Sequence, residues 1–249
     1  CTPARAVADS AKMPYTVIST RPAPDAVART GAPLWTFHLI AQPGDPNHKT
    51  WENDAWRTIG GTNTWGYLSV DEERGIVYIP VSIAGGDYVG AERPGDNLYS
   101  DSVVALDADT GKLKWHFQFT PHDVHDWDST QVPVLADLTI NGTPRKTMLF
   151  ANRNGFFYVL DRTNGRMILA KPFVTQTWAK EISPEGRPIL LPGYMPTEEG
   201  TKTCPDLGGG TNFFSPSYDP AQRLFDVEGR PRERQPHERA AVHRVEVDT

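Results

Sequence analysis

Ser102-Val-Val-Ala-Leu-Asp-Ala-Asp-Thr-Gly-Lys-Leu-Lys-Trp115 reads as a β-branched strand, a tight turn and a second strand that ends on an indole. Its parts recur. Upstream, Thr30-Gly31-Ala-Pro-Leu-Trp35 repeats the turn and the anchor. Downstream, Val159-Leu-Asp-Arg-Thr163 and then Asn164-Gly165-Arg-Met-Ile-Leu169 repeat strand, turn and anchor, with Leu in place of Trp. A strand, a Thr-Gly or Asn-Gly turn and a strand with a large apolar anchor, returning every several tens of residues, is the pattern of propeller blades. Gly31, Gly111 and Gly165 are unevenly spaced, and the extra length lies in the Gly/Asp-rich stretch 84–97, which reads as a loop insertion on one face.

The sequence around this repeat has the same character. GIVYIPVSI, KLKWHFQF, RKTMLFA and GFFYVLDR are short β-branched or aromatic runs bounded by Gly, Asp, Asn and Pro, as strands are. Asn141-Gly142, Asn154-Gly155 and Asn164-Gly165 supply the positive φ that tight hairpins need. No long amphipathic helix is evident. All seven tryptophans fall between Trp35 and Trp178, so the core-forming part is placed at 30–225. Residues 1–29, rich in Ala, Pro, Thr and Arg, read as poorly ordered, and the aromatic-free, densely charged 226–249 as a solvated tail.

Composition narrows the function classes. With 25 Lys+Arg against 31 Asp+Glu and a net charge of -6, there is no basic field for nucleic acid. No run of eighteen apolar residues suits a membrane-spanning helix. Two cysteines, Cys1 and Cys204, rule out a disulfide scaffold and a four-cysteine zinc site. The chain opens on Cys with no signal-peptide pattern, which is the expectation for a mature form or a fragment.

Chemistry concentrates in Pro121-His-Asp-Val-His-Asp-Trp-Asp128. Crowded carboxylates there raise one another's pKa unless a cation neutralises them. In a strand, Asp126 and Asp128 would share a face with Trp127 opposite, a pair suited to one hard cation plus one base. The plainer reading is a solvated acidic loop capping a blade. A zinc hydrolase using His122, His125 and Asp126 is a third possibility. Three further constellations stand out. Glycines flank an indole in Gly60-Gly-Thr-Asn-Thr-Trp-Gly66, after Trp51-Glu-Asn-Asp-Ala-Trp56, and fit a flat ligand. Asn152-Arg-Asn-Gly155 sets an Arg at a strand–turn junction, and Gly208-Gly-Gly-Thr-Asn-Phe-Phe214 is another Gly-rich turn.

Taken in order, WENDAWRTIGGTNTWG, RPGDNLY, ALDADTGKLKW, TPHDVHDWDSTQVPVLAD, NRNGFFYVLDRTNG and GGTNFFSPSYDP resemble the pyrroloquinoline quinone (PQQ) dependent alcohol dehydrogenases of the quinoprotein methanol and ethanol dehydrogenase type. The resemblance covers about residues 30–225. It implies an all-β fold, an eight-bladed propeller of which roughly four blades are here. Carried over by position, it makes Trp65 the floor under the quinone, with Thr64 or Asn63 at the cofactor edge, and Asp126 the base that takes the hydroxyl proton while hydride passes to the quinone. Arg153 would hydrogen-bond the quinone oxygens, Asn212 would contact the cofactor from a later blade, and Asp128 would be the extra carboxylate that accompanies a lanthanide rather than Ca²⁺ in some members.

The same resemblance implies a periplasmic enzyme that oxidises a primary alcohol or sugar-like hydroxyl and passes electrons to cytochrome c or a similar acceptor. Two positions depart from the pattern. The family's metal-binding Asn falls on Ile83, and the Trp that often precedes the base is His125. The family's glutamate ligand and adjacent-cysteine disulfide belong to earlier blades, and the similarity stops abruptly at both ends, as in a truncated or frame-disturbed chain. A non-catalytic scaffold of the same superfamily is therefore the alternative. Open propeller faces would favour association.

Overall fold

The computed structural model describes residues Arg5–Ala8, Thr16–Thr20, 33–229 and Ala241–Glu246. Among them the chain is almost wholly β, with three 3-10 turns (His48–Thr50, Glu52–Arg57, Gly90–Glu92) as the only helices. The strands are β1 (Arg5–Ala8), β2 (Thr16–Thr20), β3 (Trp35–His38), β4 (Ser69–Asp71), β5 (Ile76–Pro80), β6 (Ser102–Asp107), β7 (Leu113–Gln118), β8 (Val134–Ile140), β9 (Thr143–Ala151), β10 (Phe156–Asp161), β11 (Met167–Pro172), β12 (Ala179–Ile182), β13 (Pro188–Leu190), β14 (Ser217–Asp219), β15 (Leu224–Gly229) and β16 (Ala241–Glu246). They form two four-stranded antiparallel meanders, β4-β5-β6-β7 and β8-β9-β10-β11, two three-stranded sheets, β1-β2-β3 and β14-β15-β16, and the hairpin β12-β13. Each meander is one propeller blade. β1 and β2 lie within 1–29, the rest of which up to residue 29 is outside the described residues, and β15 runs across the 225/226 position.

Strands covered on both faces explain the continuous apolar runs. Along β6, Val103 and Ala105 face the β8–β11 sheet, while Val104 and Leu106 face β3 and the segment after it. Along β10, Phe156, Tyr158 and Leu160 join the first of these layers, and Phe157 and Val159 pack with Phe225 of β15. Phe119, Phe150, Phe156, Phe157 and Tyr158 are fully buried, each worth about 1.5–3 kcal/mol of transfer free energy.

The repeat has a structural reason. A Cβ on Gly111 would strike the ring of Trp35, and one on Gly165 would lie 2.5 Å from Trp115 Cε3. Each copy's indole therefore rests on the next copy's glycine. The indole N–H groups complete the contact, Trp35 Nε1 donating to Ala108 O (3.0 Å) and Trp115 Nε1 to Arg162 O (3.2 Å). Both glycines have positive φ (+66° and +77°). The preceding Asp shapes the turn: Asp107 Oδ1 accepts from Thr110 N and Oγ1, and Asp161 Oδ1 from Thr163 N and Oγ1. Arg162 adds a buried brace between sheets, donating from Nε to Asp71 Oδ2 at 2.9 Å.

Candidate active site

Meander topology fixes where chemistry can gather. The turns at 108–112 and 162–166 lie at one end of the two blades. The segment before β4 and the β5–β6, β7–β8 and β9–β10 connections lie at the other. Trp65, Ile83, Asp126, Asp128 and Arg153 all fall on that second set. The stretch 84–97, expected as an insertion on one face, is part of it.

The acidic cluster is a loop, not a strand, so the strand-based account of Asp126 and Asp128 fails. His122 and Asp126 adopt positive φ (+50° and +60°), which breaks the extended alternation. The two carboxylates converge all the same, because one guanidinium collects them. Arg153 Nη1 donates to Asp128 Oδ2 at 2.8 Å, and Nη2 reaches Asp126 Oδ2 at 3.4 Å and Leu207 O at 2.8 Å. Asp128 Oδ1 accepts from the Ile83 amide at 3.0 Å. Burial pushes the Asp126 carboxyl up to about 6 against the opposing pull of Arg153, with Asp128 adding to the rise. Asp128 is also raised, by burial first.

Trp65 stands beside this pair, half exposed at 44%, with its indole favouring ionised Asp128 and its ring edge-on to Phe213 at 6.4 Å. Gly66 packs against Thr130 too closely for any side chain. Of the two candidates for the cofactor edge, Asn63 is latched to Ser82, whose hydroxyl donates to Asn63 Oδ1 at 2.6 Å. The Thr64 hydroxyl is buried without a partner. Asn212 is partly buried on the 206–214 turn and donates to Gly208 O at 3.3 Å. That turn is tied to Arg153 through Gly210 N to Arg153 O at 2.8 Å. A cleft of about 1150 Å³ adjoins the turn, walled in part by Tyr88, His125, Phe173 and Leu207. Burial, and next the Asp126 carboxylate, raises the Tyr88 hydroxyl.

Buried polar atoms without partners mark what the cavity wall is prepared to receive. The hydroxyls of Thr62, Thr64, Thr130 and Thr211 and Arg153 Nε are of this kind; Thr64 precedes Trp65 in the chain, and Thr130 packs on Gly66. For a cation the donor set is two carboxylates with no sulfur, suited to a hard ion. Burial raises the carboxyls of Asp101, Asp123 and Asp128; Asp123 and Asp128 add to the rise at Asp101, Asp128 to that at Asp123 and Asp87 to that at Asp128, with Arg93 and Arg153 as the opposing cations. Ile83 contributes an amide to Asp128 and no oxygen side chain. No three His, Cys, Asp or Glu residues among the described ones are placed to share a metal. His122 Nδ1 faces Gly95 O and His125 Nε2 faces Tyr194 O; it is the want of a third ligand beside them among the described residues that counts against the zinc reading.

The family model of the glucose/ethanol/alcohol dehydrogenase beta-propeller domain (PQQ) matches residues 25–186. The chain belongs to this family. It is 39% identical over 215 residues to the quinohemoprotein alcohol dehydrogenase ADH IIB of Pseudomonas putida, covering 80% of this chain and 31% of that protein. It is 40% identical over 189 residues to the lanthanide-dependent methanol dehydrogenase of Methylacidiphilum fumariolicum (strain SolV), covering 74% of this chain and 30% of the relative. A europium-containing methanol dehydrogenase superposes with a TM-score of 0.79 at 32% identity over 86% of this chain and 40% of that one. The chain thus spans under a third of the length of these two curated relatives.

The sequence missed several residues that the fold brings to the site. Asp123 is fully buried, its carboxyl pushed up to about 7 by burial even though two backbone amides favour the ionised form. Asp101 is fully buried with neither oxygen partnered, and is raised by burial and by Asp123 and Asp128. A charged residue immediately before the apolar run Ser102–Asp107 was the available signal. Arg93 of RPGDNLY is also fully buried, donating to Gly85 O (2.8 Å), Asn97 Oδ1 (3.1 Å) and Asp123 O.

Proposed function

We propose that this chain carries the base-bearing part of a PQQ-dependent dehydrogenase that oxidises a primary alcohol or sugar-like hydroxyl. The observation that carries the reading is the convergence of Asp126 and Asp128 on Arg153 beside Trp65. When bound, PQQ supplies the two-electron acceptor. Asp126 accepts the substrate hydroxyl proton at its carboxylate; a carboxyl raised to about 6 is ionised at neutral pH yet more basic than an exposed one. Arg153 donates from its guanidinium to oxygen atoms that gain charge, and its burial strengthens that donation. Trp65 provides a stacking surface, and Thr64 and Asn212 fix a ligand's edge. Asp126 and Asp128 would hold a Ca²⁺ or lanthanide ion together with oxygen ligands from elsewhere. A cytochrome c-type acceptor and a periplasmic location follow from the same reading.

Titrating the protein with PQQ in the presence of Ca²⁺ or La³⁺, with tryptophan fluorescence as the signal, tests it. Saturable, cation-dependent quenching that disappears in Trp65→Ala supports the reading. Absence of quenching with both ions sinks it and leaves a non-catalytic propeller of the same family.

A further inference from the structure

We infer that Asp123 is a positioning residue whose carboxylate holds Asp126 in its working orientation. The inference rests on Asp126 being the base. Asp126 sits at φ +60°, a region that residues with a Cβ occupy sparsely unless their surroundings enforce it. Its own side chain makes only the long 3.4 Å contact to Arg153, which is too weak to impose that backbone. The enforcing contacts come from three residues upstream. Asp123 Oδ1 accepts the His125 amide at 2.8 Å, and Oδ2 accepts the Trp127 amide at 2.7 Å. One carboxylate thus grips the residues on either side of Asp126 and leaves Asp126 to project between them.

Both arms of this pincer are anchored. The His125 ring stacks on Trp127 (4.3 Å between centroids, 13° between planes) and lies near-parallel to Tyr194 at 5.9 Å. Its Nε2, facing Tyr194 O at 2.8 Å, must carry the proton to donate there. Trp127 Nε1 donates to Asp206 O at 3.0 Å, on the turn that also supplies Leu207 O to Arg153. Arg93, from the insertion, fixes the backbone carbonyl of Asp123 itself. Asp126 and its partner Arg153 are therefore referenced to the same rigid pieces. A carboxylate is specifically required at 123, because each oxygen receives one amide. An asparagine satisfies one and turns an N–H donor toward the other.

Asp123→Asn and Asp123→Ala, compared with wild type reconstituted with PQQ and La³⁺, test this. We expect kcat to fall about 10-fold in Asp123→Asn and about 100-fold in Asp123→Ala, with KM and the PQQ dissociation constant within 3-fold of wild type. Amide hydrogen exchange at His125 and Trp127 should quicken at least 10-fold in Asp123→Ala while Val104 in β6 stays protected. An unchanged kcat in Asp123→Ala overturns the inference. So does a loss of kcat matched by equal loss of PQQ affinity and faster exchange throughout β4–β7, which is general unfolding. If wild type itself shows no PQQ-dependent turnover, the proposed function fails. Exchange at His125 and Trp127 then decides alone, with unchanged rates refuting the pincer and quickened ones upholding it.

Discussion

The two ends of the meander blades obey different rules. At the 108–112 and 162–166 end, an Asp caps the turn, a glycine takes the positive φ, and an indole covers it. At the other end, Thr62, Asn97, Asp101, His122 and Asp126 hold positive φ without being glycine, and hydroxyls and a carboxylate are buried unpartnered. Local violations of this kind persist only where the surrounding structure enforces them. The first end stabilises the stack; the second spends part of that stability on a site.

The largest effect that would sharpen the contrast is Asp126→Asn. It should cut PQQ-dependent alcohol oxidation by about 10²–10⁴-fold while moving the denaturant midpoint little. A variant that keeps its turnover removes the residue from its role. Trp115→Ala attacks the other end. Loss of a buried indole should cost about 3–5 kcal/mol in urea unfolding, and a cost under ~1 kcal/mol would show that the indole-on-glycine contact does not couple the sheets.

Acid should add stability at the site end. Burial raises Asp123 to about 7 and Asp126 to about 6, above an unfolded value of about 3.9, so the folded chain binds more protons between those limits. Their contribution is complete below about pH 4 and is lost as pH rises through about 7. Metal-free protein should therefore gain on the order of a few kcal/mol in unfolding free energy from pH 7 to 5, and Asp123→Asn should flatten that slope. A stability that drops over this range contradicts the assignment. Gly165→Ala is the mildest test. Its Cβ would press on Trp115 at φ +77°, for about 1–3 kcal/mol; a neutral outcome by thermal melting would mean the neighbouring sheet shifts freely.

The stack was legible because short continuous apolar runs, Asp-capped turns and indole anchors are written into contiguous residues. Even so, the repeat revealed the turn and the anchor without revealing that each anchor serves the next copy's turn, a contact across 76 residues between Trp35 and Gly111. Site residues were legible only where a motif singled them out. The fold brings Trp65, Asp126, Asp128 and Arg153 together through Arg153 as the collector and not through strand alternation. Asp123 and Arg93 lie within motifs but carry no signal of their own there, since their work is hydrogen bonding to backbone amides and carbonyls that side-chain spacing does not encode. Asp101 escaped because nothing local distinguishes a buried carboxylate from a turn residue at the head of a strand.

The indole-on-glycine contact also gives the array a direction. Trp35 and Trp115 each reach forward onto the following copy's glycine, so both joints point the same way along the chain. A duplicated stretch of gene that carries turn and anchor together arrives with both halves of its own joint.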